Sequence, residues 1–327
     1  MKTDPVVGNQ SGLALVLALL TVSFLVAVTV QLMITVDRQV SVSTAQREQV
    51  RLDSLVLAGL NLARAALLAD QLENTFDSLQ DSWAAFDQEK LKTLAGDADL
   101  KITVTDLSGR LQVNALGTGN KKYREIWLRF LLSGRFAIGS EEEANSLLDA
   151  LSDWVDPDDK ERPQGAEEPY YRSLNPPYSS RNGRIAYPEE LLLVKGMTPR
   201  IIYGDTDYEG IIDYITVAGG DGKINLNTAP LPVLQALSPE MTPELAQELI
   251  DFRKDQQRKE VLASTGWYRQ VTGFPNSISF GNDILTVTSR YFNIMASATM
   301  NQYKRTGTGA LLRAENQEQT VLFWKIE

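Results

Sequence analysis

The densest set of side chains able to do chemistry is Asp153, Asp156, Asp158, Asp159, Glu161, Glu167 and Glu168, strung along a loop with Pro157, Pro163 and Gly165. Carboxylates crowded on one loop repel each other unless they are solvated, paired with arginine or bound to a cation. Calcium suits such a set, because it accepts about 6–8 oxygen ligands in flexible geometry. The spacing is not that of an EF-hand. Three chemistries therefore stand open: a calcium site, a solvated acidic loop, and a pair of carboxylates acting as acid and base.

A second group is Lys223-Ile224-Asn225-Leu226-Asn227-Thr228-Ala229, ahead of two helical runs joined by Ser238-Pro239-Glu240-Met241-Thr242. It resembles the helix-hairpin-helix module, which holds phosphate on backbone N–H groups at a glycine-containing hairpin. Here the hairpin has Pro239 and Glu240 and no glycine, so one donor is lost and a carboxylate stands where the anion would sit. A packing role is the expected reading, and a membrane-anchored DNA receptor is the alternative. The chain has no cysteine and no histidine, which removes thiol nucleophiles, Ser-His-Asp triads and imidazole or thiolate metal centres. A formal net charge of -10 argues against a surface built to neutralise a phosphate backbone.

The elements that must position these groups begin with an anchor. From Leu13 to Val36 there is no charged residue. As a helix this stretch is roughly 36 Å long, enough for a ~30 Å hydrocarbon core. It exceeds the apolar core of a cleaved signal, about 7–15 residues. Lys2 with Asp4 on one side and Arg38, Arg47 and Arg51 on the other leave its orientation open. Beyond it, Leu52, Leu55, Val56, Leu60, Ala63 and Leu67 continue at helical spacing, so one helix is expected from Leu13 to about Leu72. The period then shortens. Leu100, Ile102 and Val104 alternate as a strand, Asp106–Arg110 is a turn, and Leu111, Val113 and Ala115 read as the second arm of a hairpin. Leu285 and Val287, then Phe292, Ile294, Ala296 and Ala298, then Val321 and Phe323 read as further strands of the same antiparallel sheet. Between these flanks, from Pro157 to Pro243, gather all the prolines but Pro5 and Pro275, among helical runs at Glu141–Val155, Pro188–Val194, Pro230–Leu237 and Pro243–Arg253. The expected fold class is α+β: a long N-terminal transmembrane helix packed on an antiparallel sheet, with a large inserted α-helical domain.

These features together resemble the K-type minor pseudopilins of the type II secretion system. The resemblance is carried by Gly12 before the apolar helix, by Ser152-Asp153-Trp154-Val155-Asp156-Pro157-Asp158-Asp159, and by Gly165-Ala166-Glu167-Glu168 and Tyr170-Tyr171. It continues through Asn175-Pro176-Pro177-Tyr178, Glu189-Glu190-Leu191, Val194-Lys195-Gly196 and Asn225-Leu226-Asn227-Thr228-Ala229. It implies a prepilin leader at residues 1–12, a membrane helix at 13–36, and periplasmic helix and first strands at 37–115. The inserted domain would then cover 116–275 and the closing strands 276–327. It also implies cleavage by prepilin peptidase after Gly12, N-methylation of Leu13, a cytoplasmic leader with a periplasmic C-terminal domain, and an assembly role without catalytic residues. The implied partners are the I- and J-type minor pseudopilins, then the H type and the major pseudopilin, with no nucleic acid. Leaders of this family are usually basic, whereas here Lys2 is offset by Asp4. Shaft subunits of the family carry glutamate at mature position five; here that position is Leu17, which points to the filament tip. The resemblance also suggests calcium in the helical domain, with Asp156, Asp158, Asp159 and Glu167 as candidate ligands.

Overall fold

The computed structural model describes residues 10–281 and 283–327. The expected leader, including Lys2, Asp4 and Gly8, lies outside the described residues as far as residue 9. Helix α1 runs unbroken over Gln10–Glu73, 64 residues, about 96 Å at 1.5 Å per residue. It contains the one span among the described residues that is long and apolar enough to cross a membrane, and none of that span is buried in the protein. Its second half behaves differently: Leu52, Val56, Leu60, Ala63 and Leu67 are buried.

The remaining elements follow in order: α2 (Gln88–Ala95), β1 (Asp99–Asp106), β2 (Leu111–Gln112), α3 (Lys121–Leu131), α4 (Glu141–Val155), α5 (Glu168–Arg172) and α6 (Pro199–Tyr203). Then come β3 (Ile215–Thr216), β4 (Ile224–Asn225), α7 (Leu231–Ala236), α8 (Pro243–Phe252), β5 (Leu285–Thr286), β6 (Tyr291–Met300), β7 (Tyr303–Arg313) and β8 (Gln319–Ile326). The main sheet is antiparallel in the order β1-β6-β7-β8. Along β1 and β6 alternate residues are buried, and Leu100, Ile102, Phe292, Ile294 and Ala296 share one core with the α1 stripe. Contact is close enough that a Cβ on Gly59 would lie 2.7 Å from Cβ of Ala296. The helix can approach the sheet there only because position 59 has no side chain.

Two expected strands are corrected. Leu111, Val113 and Ala115 do not form a hairpin with β1. The Asp106 side chain takes the Ser108 N–H at 2.7 Å and tightens the turn. The chain then leaves the sheet: Leu111 N–H donates to the Tyr214 carbonyl, β2 pairs in parallel with β3, and Val113–Thr118 winds into a 3-10 helix. Leu285 belongs to a two-residue parallel pair with β4 rather than to the main sheet. The excursion from the sheet thus runs from Leu107 to Arg290, wider at both ends than 116–275. It has its own core around Trp127, Trp154, Trp267, Tyr171 and Phe130, and the expected helix at Pro188–Val194 is a 3-10 turn over Pro188–Leu193.

Candidate functional site

Helix α4 carries the acidic loop. Ser140 caps its N-terminus by accepting the Glu143 N–H, and Glu141, Glu142 and Glu143 fill its first turn, where carboxylates complement the helix dipole. Its last turn delivers Asp153, fully buried, and Asp156, almost so. Both are reached by one guanidinium: Arg162 Nη1 lies 2.5 Å from Asp153 Oδ1 and 2.5 Å from Asp156 Oδ2. The loop closes onto Asp153 through the Ala166 N–H at 2.9 Å, and the Gly165 Cα stands so near this carboxylate that a Cβ would collide with it.

Of the four candidate ligands, Asp156 and Glu167 point inward. Asp158 accepts the Lys160 N–H at 2.9 Å and Asp159 the Asn182 amide at 2.6 Å, both on the exposed side of the loop. Neither carboxylate oxygen of buried Glu167 has a hydrogen-bond donor among the described residues, and Asp156 Oδ1 also lacks one. Desolvation, then the charges of Asp153, Asp156, Asp159 and Asp158, push the Glu167 carboxyl up to about 7. Burial likewise raises Asp156 against the pull of Arg162. No three acidic groups among the described residues converge on one metal position; the guanidinium of Arg162 holds the space between Asp153 and Asp156. The candidate ligands are all hard oxygens, those of Glu167 and Asp156 Oδ1 lack a partner among the described residues, and Glu167 is held partly neutral by burial and then by its neighbours, a chemistry that fits a calcium ion taking the place of Arg162.

A second polar cluster joins the insert to the sheet, and its residues did not stand out in the sequence as a junction. Asp106, at the end of β1, accepts from Ser289 Oγ at 2.5 Å, Thr228 Oγ1 at 2.5 Å and Asn225 Nδ2 at 3.3 Å. Asn225 and Asn227 both donate to the Asp77 carbonyl, and Trp267 donates to Asn227 at 2.7 Å. On the sheet side Arg313 of β7 pairs with Asp77 and Asp70 and donates to the carbonyls of Leu67 and Ser289. Burial raises the carboxyls of Asp77, to about 7, and of Asp70, while Arg313 opposes the rise. The Asn-Leu-Asn-Thr segment therefore fastens two cores together. Two of its partners, Asp77 and Asp106, come from positions more than a hundred residues away, which no local spacing reveals.

The hairpin of α7 and α8 is a packing unit. Thr242 caps α8 by accepting the Leu245 N–H, Glu240 is exposed and takes the Ser277 hydroxyl, and Phe252 stacks on Trp267 with ring centroids 5.4 Å apart. Buried Arg253 donates to the Leu226 and Ala229 carbonyls at 2.8 Å. Nothing in this arrangement favours DNA. At the other end of the molecule a Cβ on Gly12 would meet nothing within 4 Å beyond its own stretch of helix, and Leu13 and Leu17 are exposed on α1.

Models of the type II secretion system protein K family match residues 109–204 and 224–280. Type II secretion system protein K of Pseudomonas aeruginosa is 27% identical over 324 residues, 96% of this chain and 92% of that one. The protein of the same description from Klebsiella pneumoniae is 26% identical over 273 residues, 79% of this chain and 77% of that one. Among solved structures, a chain of the GspK-GspI-GspJ complex from the enterotoxigenic Escherichia coli type 2 secretion system is similar in fold. Its TM-score is 0.61 at 18% identity, covering 87% of this chain and 99% of that chain.

Proposed function

Since this chain belongs to the type II secretion system protein K family and serves as a minor pseudopilin, we propose that it caps the periplasmic end of the pseudopilus, with I- and J-type minor pseudopilins beneath it, then the H type and the major pseudopilin. The observation that carries this reading is the single helix α1, apolar and uncovered through its first half and buried on one stripe in its second. Leu57, Leu68 and Leu72 are exposed on the same helix beside that buried stripe, leaving apolar surface for neighbouring helices. Leu17 supports the terminal position: without an acid there, this subunit offers no carboxylate to a neighbour's N-terminal ammonium in an apolar bundle, where an unpaired charge costs several kcal/mol. The bulk of the insert, carried beyond the sheet, fits an end better than a closely stacked shaft.

In this reading prepilin peptidase cuts after Gly12 on the cytoplasmic side, Leu13 becomes the methylated N-terminus, and the chain crosses the inner membrane once. Electron microscopy of assembled pseudopili carrying a gold-labelled version is the test. Label at one end is expected; label repeated along the shaft excludes the cap. Mass spectrometry of membrane-extracted protein is expected to show methyl-Leu13, and an intact Met1 in cells possessing the peptidase would count against the processing step.

Calcium belongs to the same proposal. Asp156, Asp158, Asp159 and Glu167, with Asp153 behind them, would hold it, and the ion would supply the positive charge that this loop otherwise draws from Arg162. Binding to the folded state alone raises stability by about 2.7 kcal/mol at a hundredfold excess over Kd. Equal melting temperatures in calcium and in chelator would rule the site out.

A further inference from the structure

The main sheet has two edges, and they are treated differently. Beside β1, at one edge, lies α2, which is in contact with that strand. At the other edge, β8 bonds to β7 on one side, and no other main-chain hydrogen bond reaches Thr320–Lys325 among the described residues. Open edges are normally blunted by charge, proline or a short strand. This one is eight residues long, has no proline and carries the single charge Lys325. Its side chains Leu322 and Phe323 are exposed at 48% and 37%.

Beside this edge the outer face of the sheet and the insert enclose a cavity of about 490 Å³. Leu322 and Phe323 help to line it, together with Leu312 of β7 and Leu191 from the insert. Tyr187, across the opening, meets Phe323 edge-on with centroids 6.4 Å apart. Two arginines also line it. Arg110 makes one long bond, 3.4 Å, to the Ile212 carbonyl, and Arg184 donates to the Gly219 carbonyl. Neither forms an ion pair among the described residues, in a chain of net charge -10, and Asp213 and Asp106 attract Arg110 only from beyond that distance. Two guanidiniums bonded only to carbonyls at an apolar cavity are complementary to an anionic group on an apolar body.

We propose that β8 is a strand-addition site for an extended segment of a partner protein that carries a glutamate among apolar side chains. The partner's backbone would bond to the free edge of β8 as a fifth strand. An apolar side chain on the cavity side would pack on Phe323 and Leu312, and the carboxylate would reach Arg110 and Arg184. Main-chain bonds then supply affinity and the cavity supplies selectivity. This site lies off α1 and does not depend on how the helices of a filament pack.

The test uses the full chain in non-ionic detergent and a fluorescein-labelled nonapeptide of alternating Thr and Val with one central Glu, read by fluorescence anisotropy. Saturable binding is expected. Replacing Glu by Gln in the peptide should weaken it about tenfold, and methylating alternate peptide nitrogens should abolish it. The protein variant Arg110→Gln/Arg184→Gln should show the same tenfold loss with the Glu peptide and no further loss with the Gln peptide. Absence of saturation overturns the proposal, as does equal affinity for the Glu and Gln peptides. Binding of dodecanoate without peptide binding would make the cavity a fatty-acid site. Sedimentation showing a dimer abolished by Leu322→Lys, again without peptide binding, would assign the edge to a second copy. Both results would overturn the peptide reading without recourse to the arginine variant.

Discussion

Glu167 is buried with no donor to either oxygen among the described residues, beside carboxylates that already share one arginine. Its folded carboxyl titrates near 7 rather than at the usual 4.5, so between those values the folded state binds more protons than the unfolded one. Stability from this group therefore falls as pH rises from about 4.5 to about 7. In chelator at pH 8, Glu167→Gln is expected to melt a few degrees higher than the parent, and in calcium to lose the ion's stabilising shift; differential scanning calorimetry in both conditions checks it. Arg313 is the opposite case. Arg313→Met leaves Asp70 and Asp77 buried without a counter-charge, a change worth about 3–5 kcal/mol at neutral pH. The Asp77 carboxyl is already pushed up to about 7 and that of Asp70 is raised too, and both rise further without the guanidinium, so the loss should be smaller at pH 5 than at pH 8. Urea midpoints at pH 5 and 8 separate the two. The acidic loop was legible because its members are neighbours in sequence. Asp70, Asp77, Asp106 and Arg313 were not, because isolated charges spread over more than two hundred positions give no sign that they meet.

Elements were readable where one period held over a long stretch. The alternation of Leu100, Ile102 and Val104 gave β1, and the stripe from Leu52 to Leu67 gave the buried half of α1. Leu111, Val113 and Ala115 alternate just as well, yet their backbone goes elsewhere: the Tyr123 hydroxyl takes the Gln112 N–H at 2.6 Å and draws the chain under α3. Alternation shows which side chains want burial, not which strand will provide it. β7 escaped notice because Gly307 and Gly309 look like breakers; in fact a Cβ on Gly307 would strike Trp324 and Val56, so glycine marks close packing of β7 between α1 and β8. The same logic makes Gly59 testable. Gly59→Leu is expected to cost about 1–3 kcal/mol or more by overpacking against Ala296 and Ile102. Leu57→Ala, on the exposed side of the same helix, should stay within about 0.5 kcal/mol. Thermal melts of the two variants decide whether the helix–sheet seam is as tight as its geometry indicates.

At the scale of the whole molecule, anchor and sheet were visible from the sequence, but the interior of the insert was not. Short helices, 3-10 turns and two-residue strands around an aromatic core have no sustained period to read. What unites the parts is α1, which enters the folded domain without a hinge among the described residues: no proline or glycine lies between Leu13 and Ala58. Membrane segment and domain thus share a single torsional phase, as two gears on one shaft. Each inserted residue turns one against the other by about 100° and lengthens the shaft by about 1.5 Å. One alanine added after Ala45 should therefore impair secretion far more than seven, which return the face to within about 20° of its setting despite the greater length. Equal impairment by both, measured as exported protein in the medium, would mean that reach rather than angle matters. On this geometry, twisting the anchor is a way of aiming the head.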